Sequence, residues 1–312
     1  MTKVKLSIVS PCFNEADNIE LFYTSLCNSI DPLLMYQFEI IFIDNASSDL
    51  TVDFLKKIAS KDDRVKIICN IRNFGQVRSP YWGLMQSSGE ATILIASDLQ
   101  DPPDLIPLLI EKWRCGWEVV MAKKTKSHTN FIIHQMRKIY YRALKRISDF
   151  DVIEDANGYG LYSHKIISII KDIQDPYPYL RGLVCEIGFP IATVEYTQRK
   201  RLNGKSKSNF YHLYDVAMLG FINNSTLPLR ITSIVGFLIS ICSFIACLFF
   251  IVLKILYWEN YTLGLATITS SIFFLFGMLF CFLGILGEYI ASIFIQVRNR
   301  PIVIEKERIN FE

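Results

Sequence analysis

The stretch ATILIASDLQDPP, residues 91–103, decides the fold. It begins as a run that is apolar throughout, which suits a strand buried on both faces of a sheet, and ends in an acidic turn leading into two prolines. KLSIVSPC, FEIIFID, VKIICN and EVVMAKK are further short apolar runs, and helix-length segments lie between them at residues 15–29, 48–60, 76–88 and 103–114. Apolar strands alternating with helices predict an α/β domain whose mostly parallel sheet is covered on both faces. No GxGxxG or GxxxxGK pattern follows any of these runs, which argues against a dinucleotide site or a P-loop.

Polar and acidic residues sit where the strands end: Asn14 and Glu15 after the first, Asp44 after the second, Asp98 after the fourth. In open parallel sheets ligands bind outside the carboxyl ends of the strands. Carboxylates on that rim do not hold a diphosphate directly. They hold Mg2+ or Mn2+ that bridges its oxygens, and they accept hydrogen bonds from ribose hydroxyls or a base N–H. Asp98 has a second oxygen ligand, Gln100, two residues on. Bland readings compete at single positions. Asp44 opens DNASSD and suits a turn with Ser47 or Ser48 capping the next helix, and Asp101 before Pro102 and Pro103 suits a helix start. As a set at successive strand ends, the acids point to a site for a cation-bearing ligand.

With 312 residues and 51% of them hydrophobic, the chain exceeds one soluble core, and the surplus is concentrated. Residues 231–253 and 260–287 contain no Asp, Glu, Lys, Arg or His. A helix crosses a hydrocarbon layer of roughly 30 Å in about 20 residues, so each run is long enough to span. The connection KILYWENYT is short, which predicts a hairpin with both ends on one side. Arg230 precedes it and Arg298, Arg300, Lys306 and Arg308 follow, against Lys254 alone in the turn, so both ends are expected in the cytoplasm. Tyr257, Trp258 and Tyr261 would form an aromatic belt at the far interface. The N-terminus MTKVKLSIVSPCF has an apolar stretch only of strand length, so no signal peptide is expected. The eight cysteines are scattered without a CxxC pair, which argues against disulfides and structural zinc. A net charge of +3 decides little by itself, and no nucleic-acid partner is expected. The expected organisation is a soluble domain over 1–208, an interfacial segment over 209–230, spans over 231–256 and 263–290, and a cytoplasmic tail over 291–312.

The pieces SPCFNEADNI, IDNASSDLT, RNFGQ, SDLQDPP, YLRGL, RLNGKSK and LGILGEYI, followed by RNRP, run from residue 8 to residue 301. Together they resemble family 2 glycosyltransferases of the GT-A fold, specifically the polyprenyl-phosphate sugar transferases: bactoprenol glucosyltransferases and dolichol-phosphate mannose synthase. The resemblance implies a nucleotide-sugar donor, a UDP- or GDP-sugar with UDP favoured, held at Pro11, Asn14, Glu15, Asp44, Arg72 and Asp98. It implies a divalent metal, Mg2+ or Mn2+, on Asp98 and Gln100, and inverting transfer of the sugar to the phosphate of a polyprenyl lipid, undecaprenyl phosphate above all, at the cytoplasmic face of the plasma membrane. Lys124, Arg137, Arg201, Lys205 and Ser206 match the basic positions expected near the phosphates. Solvated charge, or attraction to anionic lipid, is the competing reading for residues 199–207. Relatives with this hairpin form multimers, so a homo-oligomer stands as an alternative to a monomer. Gly277, Gly284 and Gly287 suit close helix contact within or between subunits.

Two positions depart from the family pattern. Family members commonly have Asp-x-Asp before LQ, and here Ala96 replaces the first acid. Asp98 and Gln100 then carry more of the coordination, with diphosphate and water completing an octahedral shell. Many relatives place an acid, proposed as the catalytic base, in a stretch where this chain has EDANGYGLY; Asp155, beside Glu154, is the nearest carboxylate and stands as the candidate base or orienting group. A phosphate monoester is mostly dianionic at neutral pH, so its nucleophilic oxygen needs little deprotonation. The alternatives are a catalytically silent partner that binds nucleotide sugar or lipid, and a polysaccharide synthase. The synthase is disfavoured because no QxxRW stretch is present.

Overall fold

The protein is described by a computed structural model covering residues 3–126, 153, 156–199, 227–256, 265–298 and 300–311. Each predicted apolar run is a strand. β1 (Val4–Cys12), β2 (Tyr36–Asp44), β3 (Val65–Asn70) and β4 (Ala91–Leu94) alternate with α1 (Ala16–Ile30), α2 (Thr51–Ala59) and α3 (Gly75–Met85). A 3-10 turn at Pro103–Leu105 leads into α4 (Ile106–Arg114), followed by β5 (Val119–Lys126), β6 (Ala156–Ser163), α5 (His164–Ile173), α6 (Leu180–Glu186) and β7 (Ile191–Thr197).

The sheet has eight strands in the order β7-β5-β6-β4-β1-β2-β3-β8, where β8 is Glu305–Ile309. The pairs β1–β2, β1–β4, β2–β3 and β5–β7 are parallel, and β6 and β8 run antiparallel to their neighbours. The mostly parallel α/β sheet is therefore as expected, with three strands, β6, β7 and β8, added to the five predicted runs. β6 fits between β4 and β5 because of Gly160, where a Cβ would lie 2.5 Å from the Val120 carbonyl oxygen.

Both faces carry a core, as the apolar runs require. Leu6, Ile8, Phe22, Leu26, Ile40 and Phe42 pack on one face; Val9, Ile41, Ile43, Ile68, Tyr81 and Tyr162 pack on the other. α1 buries Asn18, Ile19, Phe22, Leu26 and Ile30, the three-and-four spacing of one helical stripe. α3 lies close on the sheet at Gly83, whose added Cβ would be 2.6 Å from a Val9 methyl.

The chain divides into two compact units, Met1–Asn223 with Arg298–Glu312, and Asn224–Val297. The second consists of α7 (Leu227–Leu256) and α8 (Leu265–Val297). Among the described residues one helical segment, Phe274–Val297, is long and apolar enough to cross a membrane, with mean hydropathy 2.1. Gly236 of α7 approaches Phe282 of α8, a Cβ there lying 3.8 Å from the ring, whereas among the described residues no atom lies within 4 Å of a Cβ added at Gly277, Gly284 or Gly287. Of the segment read from sequence as a tail over 291–312, residues 291–297 are the end of α8, and Arg298–Glu312, which contains β8, belongs to the first unit. The interfacial stretch 209–226 lies outside the described residues.

Candidate functional site

The carboxyl ends of β1, β2, β3 and β4 carry four loops that are stitched together by side chains. Asn14 follows β1 in a left-handed conformation, φ 52°, and its Oδ1 accepts from the Ser48 backbone N–H at 2.7 Å, while its own N–H donates to Ser47 Oγ at 2.8 Å. The Glu15 N–H donates to Thr51 Oγ1 at 2.9 Å, and Glu15 Oε2 accepts from Asn18 Nδ2 at 2.6 Å. The loop after β1 is thus built on the loop after β2. Ser97 Oγ donates to the Pro11 carbonyl at 3.0 Å and ties in the loop after β4.

Asp44 ends β2 almost fully buried and holds the turn through the Ser47 N–H and hydroxyl. Burial pushes its carboxyl above the ordinary value, against the pull of those hydrogen bonds. Cys12 and Cys69 flank Asp44 in register on β1 and β3, and burial raises both thiols, so neither is a ready thiolate at neutral pH. Ser47 and Ser48 do not cap α2, contrary to the turn reading: the helix starts at Thr51, whose N–H and hydroxyl both donate to Asp49 Oδ1. The serines serve Asp44 and Asn14 instead.

Asn45, which the sequence did not single out, joins the second loop to the third. Its Nδ2 donates to Asn73 Oδ1 at 2.8 Å and to the Gly75 carbonyl at 3.2 Å; its Oδ1 accepts from the Phe74 N–H at 2.8 Å and from Asn70 Nδ2 at 3.2 Å. Arg72, on the same loop, is exposed and stacks over the Phe74 ring, 4.1 Å to its centroid.

Asp98 and Gln100 sit on the loop after β4, half-buried on either side of Leu99, which adopts φ 59°. Asp98 Oδ1 accepts from the Gln100 N–H at 3.1 Å. Gln100 is also held by the two residues that follow β7: its carbonyl accepts from the Arg199 N–H at 3.0 Å, and its Oε1 accepts from Gln198 Nε2 at 3.4 Å. Asp101 is not a helix cap, because no side chain caps the 3-10 turn; it is buried and accepts the Tyr196 hydroxyl. Tyr159, edge-on to Tyr196, donates to the Pro102 carbonyl at 2.8 Å. Lys124 lies in register with Tyr196 on the neighbouring strand. Tyr196 therefore joins the acidic loop to the strand that leads into the basic stretch 199–207, a link with no sequence signal beyond an aromatic in a strand.

The structure brings Pro11, Asn14, Glu15, Asp44 and Arg72 into this connected set of loops and places Asp98 and Gln100 on its β4 side. Asp155, Arg137, Arg201, Lys205 and Ser206 lie outside the described residues. Among the described residues no group of three or more His, Cys, Asp or Glu side chains is placed to hold a metal ion. Asp98 and Gln100 would offer one carboxylate and one amide oxygen, a donor set that would suit a Mg2+-like ion only if diphosphate and water supplied the remaining ligands.

The family model described as glycosyl transferase family 2 matches residues 7–169. The chain belongs to that family. The SfII prophage-derived bactoprenol glucosyl transferase of Shigella flexneri is 33% identical over 305 residues, covering 97% of this chain and 98% of that one. The bactoprenol glucosyl transferase of Shigella phage SfX is 32% identical over 306 residues, 98% of this chain and 100% of that one. Among solved structures, a Pyrobaculum calidifontis mannosyltransferase in complex with GDP-Man and Mn2+ has TM-score 0.48 at 12% identity, covering 71% of this chain and 63% of that one. For a family 2 member the mixed sheet with its acidic strand ends is the GT-A-like arrangement that the resemblance implied.

Proposed function

We propose that this family 2 member transfers a sugar with inversion from a nucleotide sugar, a UDP-sugar rather than a GDP-sugar, to a polyprenyl phosphate at the cytoplasmic face of a membrane. The observation that carries the reading is end-to-end similarity to bactoprenol glucosyl transferases, together with the acidic rim at the strand ends. Asp44, buried and held by Ser47, is the acceptor for donor hydroxyl or base N–H groups. Asn14, Glu15 and Pro11 shape the same wall, and Arg72 at the rim supplies positive charge. Asp98 and Gln100 are the residues that would hold a divalent ion, whose chemistry is to neutralise charge developing on the departing diphosphate.

In the transfer a lipid-phosphate oxygen bonds to the anomeric carbon on one face as the bond from that carbon to the diphosphate oxygen breaks on the other. The acceptor oxygen is already anionic at neutral pH, so the protein's task is alignment and charge neutralisation rather than strong base catalysis. Lys124, Arg137, Arg201, Lys205 and Ser206 are assigned to the phosphates and Asp155 to orienting the acceptor.

For topology we favour a hairpin of α7 and α8, with both ends on the cytoplasmic side of a bacterial inner membrane. Two features support it: the charge bias of the flanking arginines, and β8, which follows α8 yet pairs within the same sheet as β1–β4. A chain that leaves a body and returns to it crosses a bilayer an even number of times.

The test is transfer of radiolabelled sugar to undecaprenyl phosphate in detergent, with a panel of UDP- and GDP-sugars, with Mg2+, Mn2+ or EDTA, for wild type and Asp98→Ala. Metal-dependent labelling lost in the variant is expected. Nucleotide binding with no labelling from any donor would favour the second reading, a silent binding partner, which Ala96 motivates.

A further inference from the structure

β8 and the residues around it reach further into the candidate site than a tail need do. β8 extends β3 antiparallel, with Ile68 opposite Arg308 and Asn70 opposite Glu305, and the Ile71 N–H donates to the Ile304 carbonyl at 3.0 Å. Just before the strand, Ile302 and Val303 are buried in the same core as Phe74, Ile68 and Tyr81. Across the loop that follows β3, the strand grips α3 and its C-cap: Glu305 accepts from Trp82 Nε1, and Arg308 Nη2 donates to Oε1 of the capping Gln86 at 2.8 Å. Arg308 also pairs with Glu305, so both grips belong to one cluster.

The segment 71–75 is thus bracketed, with β8 bonded to the strand that enters it and to the helix that leaves it. That segment contains Arg72, and through Asn73, Phe74 and Gly75 it makes the hydrogen bonds that hold Asn45 next to Asp44. On the other side of β8 the contacts lead elsewhere. Glu307 pairs with Lys56 of α2 at 2.9 Å, and Asn310 Nδ2 donates to the Ala59 and Val65 carbonyls, none of which belongs to the rim.

We propose that β8 is a positioning element for the donor site: the strand after the last apolar helix sets the segment 71–75, and through Asn45 the wall around Asp44. This rests on the nucleotide-sugar reading of that wall. It also means that the donor site is completed by residues that the chain reaches only after α8, so the site is assembled after the helical unit has been made.

The test uses the full chain in detergent or nanodiscs and the variants Trp82→Phe, Glu305→Gln and Arg308→Gln, with Glu307→Gln as the control that loosens β8 on the α2 side. UDP and GDP affinities are measured by calorimetry, and backbone exchange of residues 71–75 by hydrogen–deuterium mass spectrometry. The three variants are expected to weaken UDP binding about fivefold, the loss of a net hydrogen bond of about 1 kcal/mol, and to speed exchange in 71–75, while Glu307→Gln changes affinity less than twofold. Trp82→Phe keeps the ring packed, so it reads the hydrogen bond even if a charged-cluster variant folds poorly. Unchanged affinity and exchange in all three variants would overturn the proposal, and so would an equal loss in Glu307→Gln, which would reduce β8 to general stability. If wild type binds neither nucleotide, the donor reading itself fails. Faster exchange in the variants would then still show β8 holding the segment.

Discussion

β2 carries two buried carboxylates, Glu39 and Asp44, about 16 Å apart along the strand by its rise per residue. Their surroundings are opposite, and Glu39→Gln separates stability from binding. Glu39 is 3% exposed and accepts from Ser7 Oγ, from the Ser88 N–H at 2.8 Å and from Ser88 Oγ, with Lys5 and Lys66 each 3.2 Å from Oε2. Burial alone would raise its carboxyl, but the hydrogen bonds from Ser7 and Ser88 and the Lys5 charge outweigh burial and hold it down at about 2, against an ordinary 4.5. At about 1.4 kcal/mol per pH unit, the ionised Glu39 contributes about 3 kcal/mol to folding. Because the folded value is depressed, that contribution is complete above pH 4.5 and is lost as pH falls through about 2.

For a domain of this size, about 3 kcal/mol corresponds to a fall in melting temperature of about 6–12 °C. The assay is thermal unfolding of wild type and Glu39→Gln in detergent at pH 7 and near pH 3, with donor KM measured at pH 7. The gap between the two proteins should be wide at pH 7 and narrow in acid, and KM should stay within twofold because Glu39 lies at the opposite end of the strand from the rim. A gap of the same width at both pH values would refute the electrostatic account. A shift in donor KM would refute the separation of the two ends of β2.

Asp98→Asn should lower turnover by at least about a hundredfold, the usual scale for losing one electrostatic contact to developing charge, with nucleotide affinity less affected. Ala96→Asp should lower the Mn2+ concentration that half-saturates transfer, read from metal titrations of initial rate; no change would mean that residue 96 is turned away from the ion. Asn45→Ala leaves the Phe74 N–H and its neighbours without their partner and should raise donor KM about tenfold or more, checked by steady-state kinetics. Because burial raises the Asp44 carboxyl, its charged form is lost at a higher pH than for an ordinary aspartate. The acid limb of donor affinity should therefore lie above pH 3.8, and Asp44→Asn should flatten it.

The five parallel-sheet runs were legible because a strand buried on both faces must be apolar at every position, a pattern that survives without any neighbour being known. β6, β7 and β8 were not read as strands, and for β6 and β8 the reasons differ. ANGYGLYS relies on two glycines, one with φ 91° and one admitting the Val120 carbonyl, so its strand character is set by close approach to β5 rather than by hydrophobicity. EKERI is an edge strand, where charge on the exposed positions guards against mispairing and makes the segment read as a tail. The site divides in the same way. Asp44, Asp98 and Gln100 stand at strand ends and announce themselves by position, whereas Asn45 and Tyr196 act through partners at sequence separations of 28 and 95 that only the folded sheet supplies.

The three acid-bearing loops share a backbone feature that ties these threads together. Asn14, Ala46 and Leu99, one in the loop after each of β1, β2 and β4, have φ of 52°, 62° and 59°. Asparagine enters the left-handed region readily, but alanine and leucine do so at a cost, and residues held there cost of order 1–3 kcal/mol each. Such conformations persist only where the surroundings over-determine them. Here the surroundings are visible: Ala46 sits between Asp44 and Ser47, which bond to each other, and Leu99 between Asp98 and Gln100, which do the same, with Gln100 held again by the residues just after β7. At both places the strained residue is flanked by a candidate site residue and the group that bonds to it. On the proposed nucleotide-sugar reading, these turns keep the polar atoms at the rim, and the cost of setting that geometry would be met when the sheet folds rather than when a donor binds.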